Sequence, residues 1–159
     1  MTSALALSLL LTLGGVDSLG PTSVGTMKLK APTKWSFEDS VDTKTWTSPD
    51  QHGAISFYSG ALEKVRPPKA CVDAMVEAVG GDGFEFAPIS AQPAAKKITN
   101  DFIGEKEEDK VEANRVVTTT WVGCDGRTKW LLTFSARKAD AARFGPILRR
   151  ILDSIAYGK

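Results

Sequence analysis

Histidine is almost missing from this chain: His52 is the only one. A Ser/His/Asp or Cys/His mechanism would have to run through it. It stands in the turn Ser48-Pro49-Asp50-Gln51-His52-Gly53, with no partner set legible nearby, and is expected to be plain surface. One histidine and two cysteines are too few for a structural zinc site built from those ligands alone. Cys71 and Cys124 are too far apart for a CxxC motif, which argues against a thiol-oxidoreductase. There is no G-x-x-x-x-G-K loop and no dinucleotide fingerprint; Gly80-Gly81-Asp82-Gly83 follows an expected helix instead of opening one. The 19 carboxylates offer no legible acid–base pair. No catalytic residue, cofactor-binding residue or metal ligand is therefore assigned, and no cofactor is expected.

Net charge is also scarce. A balance of +1 argues against a partner held by bulk electrostatics, such as nucleic acid or an anionic membrane. Arg137, Lys138, Arg143, Arg149 and Arg150 make the C-terminal end basic, but on an amphipathic helix they read as its solvated side. No apolar run reaches bilayer-spanning length, so no stable membrane anchor is expected in the mature chain.

Residues 1–26 lack lysine and arginine. Ala4 to Leu13 is an apolar run of signal-peptide length, broken by Gly14-Gly15. Val16 and Ser18 suit the −3 and −1 positions of a cut before Leu19. Residues 1–18 thus read as a signal peptide without the usual basic start, and the mature protein as secreted or periplasmic. Residues 19–26 read as a linker by composition, and 27–159 as a single domain. Translation from Met27, giving a cytoplasmic protein, is the alternative.

The clearest structural signal runs from Val111 to Tyr157. Thr128, Trp130, Leu132, Phe134 and Ala136 fall on one side of a strand, and Lys129, Leu131, Thr133 and Ser135 on the other. This is the alternation of a half-buried antiparallel strand. Asp125-Gly126 supplies a hairpin turn before it. A helix is expected over 140–157, with Asp140 as N-cap, Gly158 past its end, and Phe144, Leu148, Ile151 and Ile155 on one buried stripe. Pro146 must either kink that helix or mark its true first turn. The stripe is expected to lie on the Trp130 face of the hairpin.

Upstream, strands are expected at Met27–Ala31, Thr43–Thr47 and Ala54–Leu62. A helix opening at Pro67-Pro68 buries Val72, Met75, Val76 and Val79. Further strands are expected near Phe84–Ile89 and Lys97–Ile103. The acidic run Glu105–Glu112 reads as a solvated hairpin tip. The fold class is α+β, an antiparallel sheet of about six strands packed between helices. Cys71 begins the first long helix and Cys124 sits at the hairpin turn, so they are either a disulfide or two independent thiols. The four tryptophans read mostly as core; Trp46 and Trp121, with Tyr58, are the candidates to line a pocket or interface.

Several stretches together resemble the Mog1/PsbP-like superfamily over Met27 to Lys159. They are Pro32-x-x-Trp35, the run ISFYSG (Ile55–Gly60), the run KWLLTFSA (Lys129–Ala136), and F-x-x-I-L-x-x-I-L-x-S-I (Phe144–Ile155). The resemblance implies an antiparallel sheet sandwiched between helices. It also implies a largely non-catalytic family whose members bind proteins, such as a photosystem assembly or a small GTPase. The expected function is a secreted or periplasmic non-catalytic binding or accessory domain acting on a protein partner or through a shallow pocket. The alternatives are a small apolar-ligand carrier with Trp46, Tyr58 and Trp121 around one cavity, an intracellular adaptor begun at Met27, and a carboxylate-based hydrolase.

Overall fold

The computed structural model describes residues 17–79, 84–89, 92–103 and 115–158. The elements, in chain order, are β1 (Leu19–Val24), β2 (Met27–Pro32), β3 (Ser36–Asp39), β4 (Thr43–Thr47), β5 (Gly53–Ala61), α1 (Pro68–Ala78), β6 (Phe84–Ile89), β7 (Gln92–Ile103), β8 (Arg115–Cys124), β9 (Thr128–Arg137), a 3-10 turn (Ala141–Phe144), α2 (Gly145–Leu152) and β10 (Ala156–Tyr157). Seven strands form one antiparallel sheet in the order β3-β4-β5-β9-β8-β7-β6; a smaller sheet has the order β1-β2-β10. Residues 1–16, Gly80–Gly83 and the acidic run Glu105–Glu112 lie outside the described residues.

The alternation in β9 decides how the layers stack. Trp130, Leu132 and Phe134 are buried on one face of the large sheet, together with Ile55 and Phe57 of β5. Met27 and Leu29 of β2 and Leu148 and Ile151 of α2 cover that face. Each large apolar side chain fully buried there contributes about 1.5–3 kcal/mol. Leu131 and Val122 point the other way and meet Cys71, Val72 and Val76 of α1. The sheet is thus packed between helices, as expected, and α1 holds the second face alone among the described elements.

Three expectations change. Residues 19–24 are not linker but β1, paired along its length with β2 from Leu19↔Pro32 to Val24↔Met27. Gly25, at φ +54°, opens the two-residue loop between them, where glycine meets no steric penalty. Pro21 is tolerated because β1 is an edge strand. Ten strands rather than about six are present among the described residues: seven lie in the large sheet, with β3 added at its edge, and β1 and β10 join β2 in a second sheet.

The long C-terminal helix is also shorter than expected. A 3-10 turn precedes α2, and Pro146 lies in the first turn of α2, where its missing N–H costs nothing. The stripe Phe144, Leu148, Ile151 and Ile155 is buried on the expected face, yet Ile155 reaches the core from beyond the helix end. Gly158 caps no helix. Its N–H donates to the Thr26 carbonyl at 2.8 Å, and a Cβ there would lie 2.2 Å from that oxygen.

A candidate binding groove beside α1

Cys71 and Cys124 form a disulfide across 53 positions of chain. The bond fastens the first turn of α1 to the end of β8. Backbone contacts extend the clamp. The Arg66 N–H donates to the Gly126 carbonyl at 3.0 Å, and the Leu62 N–H to the Arg127 carbonyl at 2.7 Å. Gly126 adopts φ +93°, and a Cβ on it would lie 2.3 Å from the Arg66 carbonyl oxygen. Only glycine suits a site with both constraints. Asp125 sets the rest of the turn, its Oδ1 accepting from the Arg127 and Thr128 N–H groups at 2.8 and 2.7 Å.

This clamp shapes an open groove of about 480 Å³ between α1 and the end of β5. Its apolar surface comes from Ala61, Leu62, Ala74, Met75 and Ala78, with Cys71 also in the lining. Lys64, Arg66 and Lys129 stand around it with a single acid, Glu63. None of these three cations makes an ion pair among the described residues. Tyr58 forms one wall. Its hydroxyl rests where a Cβ on Gly60 would sit, 2.5 Å away, and the Lys129 ammonium lies 6.0 Å from its ring centroid.

The three aromatic residues singled out from sequence do not converge on one cavity. Tyr58 lines the α1 groove. Trp46 is buried on the opposite face of the sheet and lines a recess of about 250 Å³ with Trp35, Phe37, Pro21 and Pro32. Trp121 is buried in the core of that face, opposite Leu132, and lines neither. The common cavity expected of an apolar-ligand carrier therefore does not form, because alternation along β4, β5 and β8 sends these side chains to different sides.

His52 has more company than its sequence context showed. Its Nδ1 lies 3.0 Å from Asp140 Oδ2 and 3.8 Å from Asp50 Oδ2. Arg143 bonds Asp50 and stands 3.5 Å from Asp140 Oδ1. The Ser48 hydroxyl, the Arg143 guanidinium and the His52 N–H all donate to Asp50 and hold its carboxyl well below the usual carboxylate range. Asp50 in turn raises Arg143. Asp140 thus sits at the start of the 3-10 turn but caps nothing with its side chain.

The set contains serine, histidine and aspartate, but not in a nucleophilic arrangement. The Ser48 hydroxyl donates to Asp50 Oδ1 at 2.6 Å and accepts from the Gly53 N–H at 3.0 Å, and Ser48 is buried. Its proton faces a carboxylate rather than an imidazole, unlike an activated serine. The network laces the β4–β5 loop to the 3-10 turn. The Asp50-x-His52 spacing carried half of the signal; Asp140 is remote in sequence and carried none.

Among the described residues, no group of three or more His, Cys, Asp or Glu side chains is placed to hold a metal ion. No helix among them is long and apolar enough to cross a membrane.

No family model matches the chain, and no curated protein sequence does. Solved structures do. A Bacteroides thetaiotaomicron protein superposes with a TM-score of 0.67 at 15% identity, covering 86% of this chain and 47% of that one, so this chain spans about half its length. The cyanobacterial PsbP protein CyanoP of Synechocystis gives 0.59 at 11% identity over 91% of this chain and 95% of its own. The Saccharomyces cerevisiae Ran-binding protein Mog1p gives 0.47 at 10% identity over 88% and 96%. The chain shares the α+β fold of CyanoP. At these identities the likeness extends to fold alone.

Proposed function

We propose that the chain is an exported, non-catalytic binding domain that engages a protein partner through the groove beside α1. The observation that carries this reading is the groove itself: an apolar floor pinned by a disulfide and rimmed by three cations that make no ion pair among the described residues. A disulfide suits an oxidising compartment, which supports export. The expected leader cut before Leu19 would fall at the first residue of β1 and leave that strand whole. The Ser48–Asp50–His52 network uses its donors and acceptors internally, which supports a structural rather than a catalytic role.

A cytoplasmic adaptor begun at Met27 is disfavoured on physical grounds. It would lack β1, expose the edge of β2 and lose Val24, which is buried and whose carbonyl accepts from the Ser59 hydroxyl at 2.6 Å.

A photo-crosslinking residue placed at Ala78, within the groove, tests the reading in the producing cell. The expected result is a discrete crosslinked protein partner in the envelope or exported fraction. The same residue at Lys34, remote from the groove, should give none. Equal crosslinking from both positions, or none from Ala78, contradicts the proposal.

A further inference from the structure

Resting on the groove reading above, we infer that the segment the groove accepts is acidic and amphipathic, a stretch in which carboxylates alternate with aliphatic side chains.

Two chemistries meet in the groove, and a ligand must satisfy both. Lys64, Arg66 and Lys129 outnumber Glu63, and no described residue neutralises them. Some surface cations elsewhere are paired, Lys44 with Asp39 at 3.3 Å, Lys69 with Asp73 at 2.7 Å and Arg143 with Asp50, and others are not; what sets Lys64, Arg66 and Lys129 apart is that all three gather around one groove. A neutral or basic segment entering the groove would leave the three cations partly desolvated without compensation. A carboxylate-bearing segment supplies the missing charge.

The floor imposes the second requirement. Ala74 and Ala78 lie one helical turn apart on the exposed side of α1, beside half-buried Leu62 and Met75. Small side chains at those two positions let a neighbouring chain come close to the helix. A bare anion gains nothing from this surface, whereas an aliphatic side chain does. Val65, in the loop between Lys64 and Arg66, is 73% exposed but does not line the groove. The clamp through Gly126 and the disulfide holds the backbone of the loop, the helix and the turn together, which lowers the ordering cost at binding.

The test uses the oxidised protein and three labelled octapeptides read by fluorescence anisotropy: Glu alternating with Leu, Lys alternating with Leu, and Glu alternating with Ser. The expected result is saturable binding of the Glu–Leu peptide alone, weakened about tenfold by Lys64→Glu/Arg66→Glu/Lys129→Glu and by raised salt. Met75→Asp should weaken it as well. Circular dichroism should show both variants folded; if the triple variant unfolds, Lys129→Glu alone replaces it.

Equal or tighter binding of the Lys–Leu peptide overturns the inference, as does Glu–Ser binding that matches Glu–Leu. Glu–Leu binding unchanged in the charge-reversed protein also overturns it. Concentration-dependent dimerisation lost in both Val41→Asp and the charge-reversed protein would make a second copy the occupant of the groove, and this overturns the separate partner on which the inference rests. A partner crosslinked at Ala78 in cells, without Glu–Leu binding, would sink the acidic preference and leave the groove reading standing. Loss of both would end both.

Discussion

The Trp130 indole donates its Nε1–H to the Tyr157 hydroxyl at 3.1 Å, joining the large sheet to the last strand of the small one. Trp130 is 1% exposed and stacks on Phe57 with ring centroids 5.9 Å apart. Gly123, opposite it on β8, leaves room for the ring: a Cβ there would lie 2.3 Å from the indole. Tyr157→Phe removes the acceptor and leaves the indole N–H unpaired. The expected loss is about 1–2 kcal/mol of stability, read by urea unfolding with an unchanged m-value.

The same tyrosine gives the protein an alkaline limit. Burial pushes the Tyr157 phenol up from 10.0 to about 12, because the phenolate is poorly solvated there. Between those values the folded state holds a proton that the unfolded state releases. Stability should therefore be intact below pH 10 and fall as pH rises from 10 to about 12. Urea titrations across that window should show a shallower fall in Tyr157→Phe than in the parent protein. An equal slope in both would contradict the assignment.

At acidic pH the Asp50 network dominates. Its carboxyl is held well below the usual carboxylate range, so its stabilisation is present above that range and is lost as pH falls through and beneath it. Asp50→Asn should cost on the order of 1 kcal/mol at pH 7 through weakened bonds to Ser48, Arg143 and the His52 N–H. The difference between parent and variant should shrink as pH is lowered below 4, read by thermal unfolding at a series of pH values. A pH-independent difference would contradict it.

The disulfide closes a long loop, its cysteines standing at a sequence separation of 53. Chain-entropy accounting gives about 4 kcal/mol of stabilisation for a loop of that size. Cys71→Ala/Cys124→Ala should lose up to that amount. Hydrogen exchange should show α1 amides losing protection before those of β5 and β9, because α1 packs on its face with a smaller cluster. Uniform loss of protection across the sheet would contradict a local clamp.

Removing residues 1–26 should destabilise the domain far more than removing residues 1–18. The shorter protein lacks β1 and the burial of Val24. Leaving β2 as a bare edge should also raise its tendency to aggregate. Light scattering and thermal unfolding of the two truncations decide this; equal behaviour would restore the linker reading of 19–26.

The sequence made the centre of the fold legible and its margins obscure. β8, buried on both faces from Trp121 to Cys124, was readable from its Val/Thr content and the Asp125-Gly126 turn, and the faces of β5 and β9 from apolar side chains that recur with the period of the strand. The Phe144–Ile155 stripe was readable from its own apolar spacing. Its helical extent was not, because Ile155 is buried by the chain that follows α2, and apolar spacing does not record where helical hydrogen bonding stops. β1 was hidden by composition. LGPTSV is made of turn-forming and small residues, and its strand character depends on pairing with β2. The groove had no local signature either. Ala74, Ala78, Lys64 and Lys129 look like ordinary surface until the disulfide and Gly126 bring loop, helix and turn together.

An exported domain that begins at β1 and carries an oxidised Cys71–Cys124 pair has a characteristic mass. Protein purified from the producing cell should be fractionated by compartment and its intact mass measured with and without reductant and alkylation. The expected species lies in the exported fraction, starts near Leu19 and takes up alkylating agent at both cysteines only after reduction. A cytosolic species starting at Met27, with both thiols alkylated without reduction, would contradict the exported, disulfide-clamped binding domain proposed here.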